Sequence, residues 1–342
     1  MKKIFLIAGL VLLVLAGAGG YWFYRIYFEP NVHTPDHKPE FIYIHTGSDM
    51  QDLMLQLQEN KIVDDTSSFA EIARLKKFSA PKPGRYRIRD GMSNRDLVNL
   101  LRSGEQEPVE VTFNNIRTKE QLAGRVGGKL EADSAHFLLL LNDPGFTAKF
   151  GLTTDNIMTM FIPNTYQFFW NTNEEQFIDR MAQEYKKFWT DDRKAKARAA
   201  GLSQSESIIL ASIVESEQSR FADELPVIAG LYINRLHKGI ALQSDPTIIY
   251  ALGDFSIQRV TNADLDINSP YNTYLHTGLP PGPIRIPESA TVDAVLNYNH
   301  NNYLYMCAEF GTGRHRFTDD YNQHLKNARE YQAALNKANI RR

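Results

Sequence analysis

Polar and apolar positions change their period several times along the chain, and each change marks an element. Ile4 to Tyr24 is a single uncharged, apolar run, long enough to cross a bilayer. Lys2 and Lys3 precede it, and Tyr21, Trp22, Phe23, Tyr24 and Tyr27 close it as an aromatic belt, the order expected of an N-in anchor that Arg25 weakly opposes. Ala16-Gly17-Ala18 resembles a signal-peptide cleavage site, but the apolar run continues past it, so an uncleaved anchor is expected. Glu29 to Glu40 contains Pro30, Pro35 and Pro39 and reads as a linker. His33 and His37 are four apart there, but Pro35 argues against a helix that would pair them on a metal.

Phe41 onward and Arg85 onward repeat one pattern: strand, glycine turn, polar N-cap, helix. Gly47 matches Gly91, Asp52 matches Asp96, Leu53 matches Leu97 and Leu57 matches Leu101. Met50, Leu53, Met54 and Leu57 make one helical face, and Leu97, Leu100 and Leu101 make the other. Phe69, Ile72 and Ala73 predict a short helix between them, and Val109 to Phe113 a closing strand, giving a small α+β module. From Thr118 to Leu152 the spacing is helical, with Phe137 to Leu141 as a buried core helix too short to span a membrane. Lys186 to Arg198 reads as a solvated helix face.

Ser203-Gln204-Ser205-Glu206 has the spacing of a capping box and predicts a helix through LASIVESEQSR. Glu215 falls on its Ile208, Ala211 and Ser212 face. A carboxylate on a buried stripe is desolvated and able to hold a proton, the requirement for a general acid. The competing reading places Glu215 at an exposed helix end or in an ion pair, and helix position alone favours that reading. Leu225, Ile228, Leu231 and Tyr232 predict a second helix to Lys238 with Gly239 ending it. Loops and strands are expected up to Phe317, then a polar helix from Asp319 carrying Leu325, Ala328, Tyr331 and Leu335.

Composition narrows the function classes. The net charge of −2 gives no basic face for nucleic acid. Cys307 is the only cysteine, which excludes an intrachain disulfide or a cysteine metal cluster, and its apolar run suggests a small buried hydrophobe. No nucleophile elbow, zinc-protease helix, dinucleotide fingerprint or phosphate loop occurs. GTGRHRF, Gly311 to Phe317, lacks the Gly-Lys-Ser/Thr ending of a phosphate loop. In LQSDPT, Pro246 predicts an extended or turn conformation for Asp245. Asn272, Thr273 and the tyrosines of YNTYLHTGLPPGPI suit sugars, which offer apolar ring faces and many hydroxyls, but on their own the residues favour an ordinary surface loop.

The ordered series ASIVESE, INRL, LQSDPT, YNTY, GLPPGPI, YLY and GTGRHRF closely resembles the YceG-like family of membrane-anchored endolytic murein transglycosylases, over nearly the whole chain. The resemblance implies an α+β protein: an anchor at 1–28, a linker at 29–40, a LysM-like module at 41–113 and a YceG-like catalytic domain at 114–342. It places the catalytic glutamate on Glu215 and the second acid of that block on Glu217. Asn234, Gln243, Asp245, Tyr271 and Asn272 take block positions that line the cleft. Two departures stand out: Asn164 where many relatives carry an acid, and Gln218 where many carry Thr.

The implied activity is lytic cleavage of MurNAc-GlcNAc bonds in nascent strands to 1,6-anhydro ends, limiting strand length, with no cofactor. The implied place is the bacterial inner membrane, held by residues 4–24, with the catalytic domain periplasmic and peptidoglycan synthases or division proteins as candidate neighbours. An older family label, aminodeoxychorismate lyase, needs pyridoxal phosphate on a Schiff-base lysine and fits an exported chain poorly. Two rivals remain: a hydrolase using Glu217 or Asp245 as a second carboxylate, and a non-catalytic glycan-binding scaffold.

Overall fold

An apolar run without a proline can satisfy its whole backbone away from water within a single helix, and α1 accordingly runs unbroken over Lys2–Phe28, its four glycines included. The computed structural model describes residues 1–338. At 27 residues α1 is about 40 Å long, its mean hydropathy reaches 2.3, and none of its residues is buried, although Ile26 and Tyr27 near its end pack against the core of the first unit. It is the one described helix long and apolar enough to cross a membrane. The chain divides into two compact units, the first comprising 1–110, 129–132 and 167–173 and the second the remainder.

In the first unit, β1 (Glu40–Ile44), α2 (Met50–Glu59), α3 (Thr66–Leu75), β2 (Gly84–Ile88) and α4 (Asn94–Ser103) form the expected repeat. β1 and β2 pair antiparallel, Ile42 opposite Tyr86. Gly47 and Gly91 both adopt positive φ in the turns that follow the strands. Asp49 and Ser93 cap α2 and α4, and Leu53, Leu57, Leu97 and Leu101 are all buried in one core. The segment read as a linker packs against this unit. Val32 is fully buried, Asn31 bonds to Asn94, and His37 bonds to Asp90.

β3 (Val109–Phe113) pairs with β4 (Asn164–Phe168). Between them the expected helical stretch is three short helices: α5 (Lys119–Gly127), α6 (Ser134–Leu141) and α7 (Pro144–Ala148). Gly127-Gly128 ends the first, and Asp133 and Asp143 cap the next two. In α6 Phe137 and Leu141 are buried but Leu139 is 68% exposed, so this is a half-buried helix and not a core one. The expected solvated face at 186–198 is split between α8 (Glu174–Phe188) and α9 (Asp191–Ala199). Trp189 is buried at the break, where Thr190 caps α9.

The core of the second unit is built on α10 (Gln204–Glu217) and α11 (Leu225–His237), which ends as expected before Gly239 at positive φ. Two helices replace expected loops: α12 (Asp245–Leu252) and α13 (Ser289–Leu296). Asp245 therefore opens a helix, because a proline in the first turn lacks only a donor that would be unbonded anyway. β5 (Tyr305–Ala308) and β6 (His315–Thr318) form a hairpin, and α14 covers Tyr321–Lys337. Cys307 on β5 is half-buried rather than buried.

Candidate active site

The capping box forms as its spacing predicts: Ser203 Oγ accepts from the Glu206 amide, and the Glu206 carboxylate accepts from the Ser203 amide at 2.7 Å. Every residue from Ser207 to Glu215 is buried, so α10 is a core helix apolar almost all round. Ser212 is the exception with a purpose. Its hydroxyl donates to the Ile209 carbonyl and accepts the Ile284 amide at 3.1 Å, which docks the Pro-Pro-Gly-Pro loop onto the helix. Gly282 in that loop lies so close to the Asp155 carbonyl that a Cβ would stand 2.0 Å from its oxygen.

Three residues further along, Glu215 ends the stripe at 6% exposure. Its Oε2 accepts the Glu288 amide and the Thr291 hydroxyl, both at 2.7 Å. Its Oε1 faces Arg285 Nη2 at 3.1 Å. Burial and the neighbouring charge of Glu215 push the Glu288 carboxyl up, while Arg285 opposes this. The two alternatives the sequence left open are thus both partly realised, since the acid is buried and also ion-paired.

Glu217 lies two residues on and therefore points elsewhere. It accepts from Tyr232 at 2.7 Å and from Ser244 at 2.5 Å. With Gln243, Asp245, Arg235, Tyr274 and His315 it lines a cavity of about 670 Å³. Arg235 of the INRL block donates to the Leu242 carbonyl and to Gln243, and Tyr274 donates to Asp245. Burial pushes both Glu217 and Asp245 up, and Asp245 adds to the effect at Glu217.

A raised acid keeps the folded state more protonated than the unfolded chain. Its contribution is full below the unfolded value of about 4.3 and is lost as pH rises through the folded value. Glu217→Gln cannot lose a proton, so its melting temperature relative to the native chain should be higher at pH 8 than at pH 4. Thermal melts at the two pH values check this, and an equal or reversed difference contradicts it.

The structure brings Glu217, Gln243 and Asp245 to one cavity, and Glu215 is not among its lining residues. Asn234 donates to the carbonyls of Asn301 and Tyr303. Asn272 is fully buried, donating to the Leu265 and Ile267 carbonyls and accepting from the Tyr274 amide, which braces its loop. Tyr271 packs against Tyr250, ring centroids 4.7 Å apart and planes tilted by 46°. Gln218 is buried and donates to Glu224 and the Gly313 carbonyl, tying the end of α10 to the hairpin that carries His315. Asn164 is exposed at the start of β4. The residues that surround Glu215, namely Arg285, Glu288 and Thr291, were not singled out by the sequence. Their one visible sign is a cation directly after the Pro-Pro-Gly-Pro-Ile run.

The model of the YceG-like family matches residues 42–330. An endolytic murein transglycosylase of Streptococcus pneumoniae serotype 2 is 28% identical over 96% of this chain and 65% of its own length. One from Bacillus subtilis is 27% identical over 86% of each chain. This chain thus spans a little under two thirds of the streptococcal relative. The crystal structure of a putative YceG-like protein from Listeria monocytogenes is similar at a TM-score of 0.57 and 26% identity, covering 84% of this chain and 98% of that one.

Proposed function

The chain belongs to the YceG-like family, and on that premise we propose that it is an endolytic lytic transglycosylase of peptidoglycan, cutting MurNAc-GlcNAc bonds within nascent strands. Relatives named endolytic murein transglycosylase support the substrate and the activity. The observation that carries the mechanism is the separation of the acids: the hydrogen-bond partners of Glu215 are shared with neither Glu217 nor Asp245. Glu215 protonates the glycosidic oxygen. Its carboxylate then takes the proton of the C6 hydroxyl on the same muramic residue, and that oxygen closes on C1 to a 1,6-anhydro end. Attack within one sugar supplies the high effective molarity that an activated water and second carboxylate supply in a hydrolase.

Lys2 and Lys3 orient α1 with its N-terminus cytoplasmic, so that the rest of the chain works outside, at the inner membrane where strands emerge. The βααβ order of 40–88 supports the LysM-like reading of the first unit, as a glycan contact or a spacer. Strand-length control, and contact with synthases or division proteins, follow from the same premise.

A second-carboxylate hydrolase has one observation in its favour, the Glu288 carboxyl close enough to feel the charge of Glu215. Mass spectrometry of released glycans separates the two. Anhydro ends, one water lighter than hydrolysed ends, are expected as the main product. Hydrolysed ends as the main product would overturn the lyase.

A further inference from the structure

Arg285 pairs with Glu215, and a second guanidinium, that of Arg117, lies on a neighbouring segment without a carboxylate partner among the described residues. The segments that carry them are joined by a hydrogen bond from the Ile286 amide to the Ile116 carbonyl at 2.7 Å. On one side of that bond Asn115 holds a left-handed backbone, φ 51°, and its Oδ1 accepts Arg285 Nη2 at 2.9 Å. Asparagine tolerates that region better than most residues, and here it aims the side-chain amide at Arg285. Arg285 Nη2 also faces Glu215, while its Nε–H is buried without a partner. Arg117, two residues beyond Asn115, lies over the Phe255 ring at 4.7 Å. No carboxylate lies within ion-pair distance of it among the described residues. Burial, and then the like charge of Arg285, push the Arg117 guanidinium down, so the two cations feel one another.

The acids that face Arg285 are Glu215, whose Oε2 is already filled, and Glu288, whose carboxyl is pushed up. An anion held by the two arginines relieves their repulsion, and the planar fork of a guanidinium suits a carboxylate.

We propose that Arg117 and Arg285 form a subsite for a carboxylate borne on the 3-O side chain of muramic acid, seating that sugar rather than N-acetylglucosamine next to Glu215. This rests on the peptidoglycan reading above and adds what sets the register of the cut. N-Acetylglucosamine has no acidic side chain. The muramic carboxylate has two sources, the stem peptide or the free lactyl group left when the peptide is removed. Discrimination between the alternating sugars of a strand then comes from charge, since their ring faces are alike.

The full chain carrying Glu215→Gln, with and without Arg117→Gln, is titrated with three soluble probes. These are strands with intact stem peptides, amidase-stripped strands with free lactyl carboxylates, and neutral N-acetylglucosamine oligomers. Loss of a charge-assisted contact should weaken binding of a carboxylate-bearing probe by about tenfold or more, leaving the neutral oligomer unchanged. Whichever carboxylate-bearing probe responds identifies the source. Arg117→Lys, which keeps the charge, should retain most of the affinity. Equal weakening on all three probes by a variant with a native melting curve, or no weakening on either carboxylate-bearing probe, overturns the subsite. Absence of anhydro products from the native chain would overturn the reaction instead, because the titration needs no turnover.

Discussion

Glu215→Gln should lower glycan release from isolated sacculi by about two to four orders of magnitude, the usual contribution of general acid–base catalysis. The amide keeps the size of the side chain and can still accept from the Glu288 amide or the Thr291 hydroxyl, so the fold of the α10 end survives. What it cannot do is give a proton to the leaving oxygen or take one from the C6 hydroxyl. Arg285 loses its anionic partner in the variant, and an unpaired buried cation costs stability. A melting curve must therefore accompany the assay, so that a lost acid is not confused with a lost fold. Equal release by the native chain and a folded variant would sink the enzyme reading and favour a scaffold in which the first unit does the binding.

The same residues explain how far the sequence could be read. The capping box, the buried stripe and the position of Glu215 were legible because each is a short-range pattern: the box is four residues long and a helical face repeats within two turns. The repeat of the first unit was legible for the same reason, its glycine turns and leucine spacing being local. Helices α12 and α13 were missed because a proline stands inside the first turn of one and just before the start of the other, and a proline read alone signals a turn as readily as a first helical turn.

The partners of Glu215 were beyond reach for a different reason. Arg285, Glu288 and Thr291 lie some seventy residues downstream, brought in by a loop whose docking depends on one serine hydroxyl, Ser212. No periodicity encodes such a contact. The resemblance to a family pointed to the helix of Glu215, yet the cleft positions it suggested separate here. Glu217, Gln243 and Asp245 face one cavity while Asn272 and Asn234 brace backbone. Two carboxylates two residues apart on a helix point to different faces, so their closeness in sequence says little about shared chemistry.

Gly282→Ala should damage both stability and turnover, and it tests the docking of that loop directly. The added Cβ would stand 2.0 Å from the Asp155 carbonyl oxygen and 2.7 Å from the Tyr271 hydroxyl. The tyrosine can yield, but a backbone oxygen has no rotamer to escape into, so the loop itself has to move. Overpacking of this kind costs about 1–3 kcal/mol. Ile284, whose amide bonds to Ser212, is only two residues away, and Arg285 and Glu288 follow it to Glu215. A shift of about 1 Å in groups around a reacting centre can cost on the order of 100-fold in rate. Turnover should therefore fall further than the loss of stability alone explains at a temperature where the variant is fully folded. Gly124→Ala is the control: it sits inside α5 with nothing within 4 Å of the new Cβ. Replacing a mid-helix glycine there should stabilise by about 0.5–1 kcal/mol and leave turnover unchanged. If Gly282→Ala instead melts and turns over like the native chain, the loop does not hold Glu215 in place through this contact, and the partners of the acid must be positioned by α13 alone.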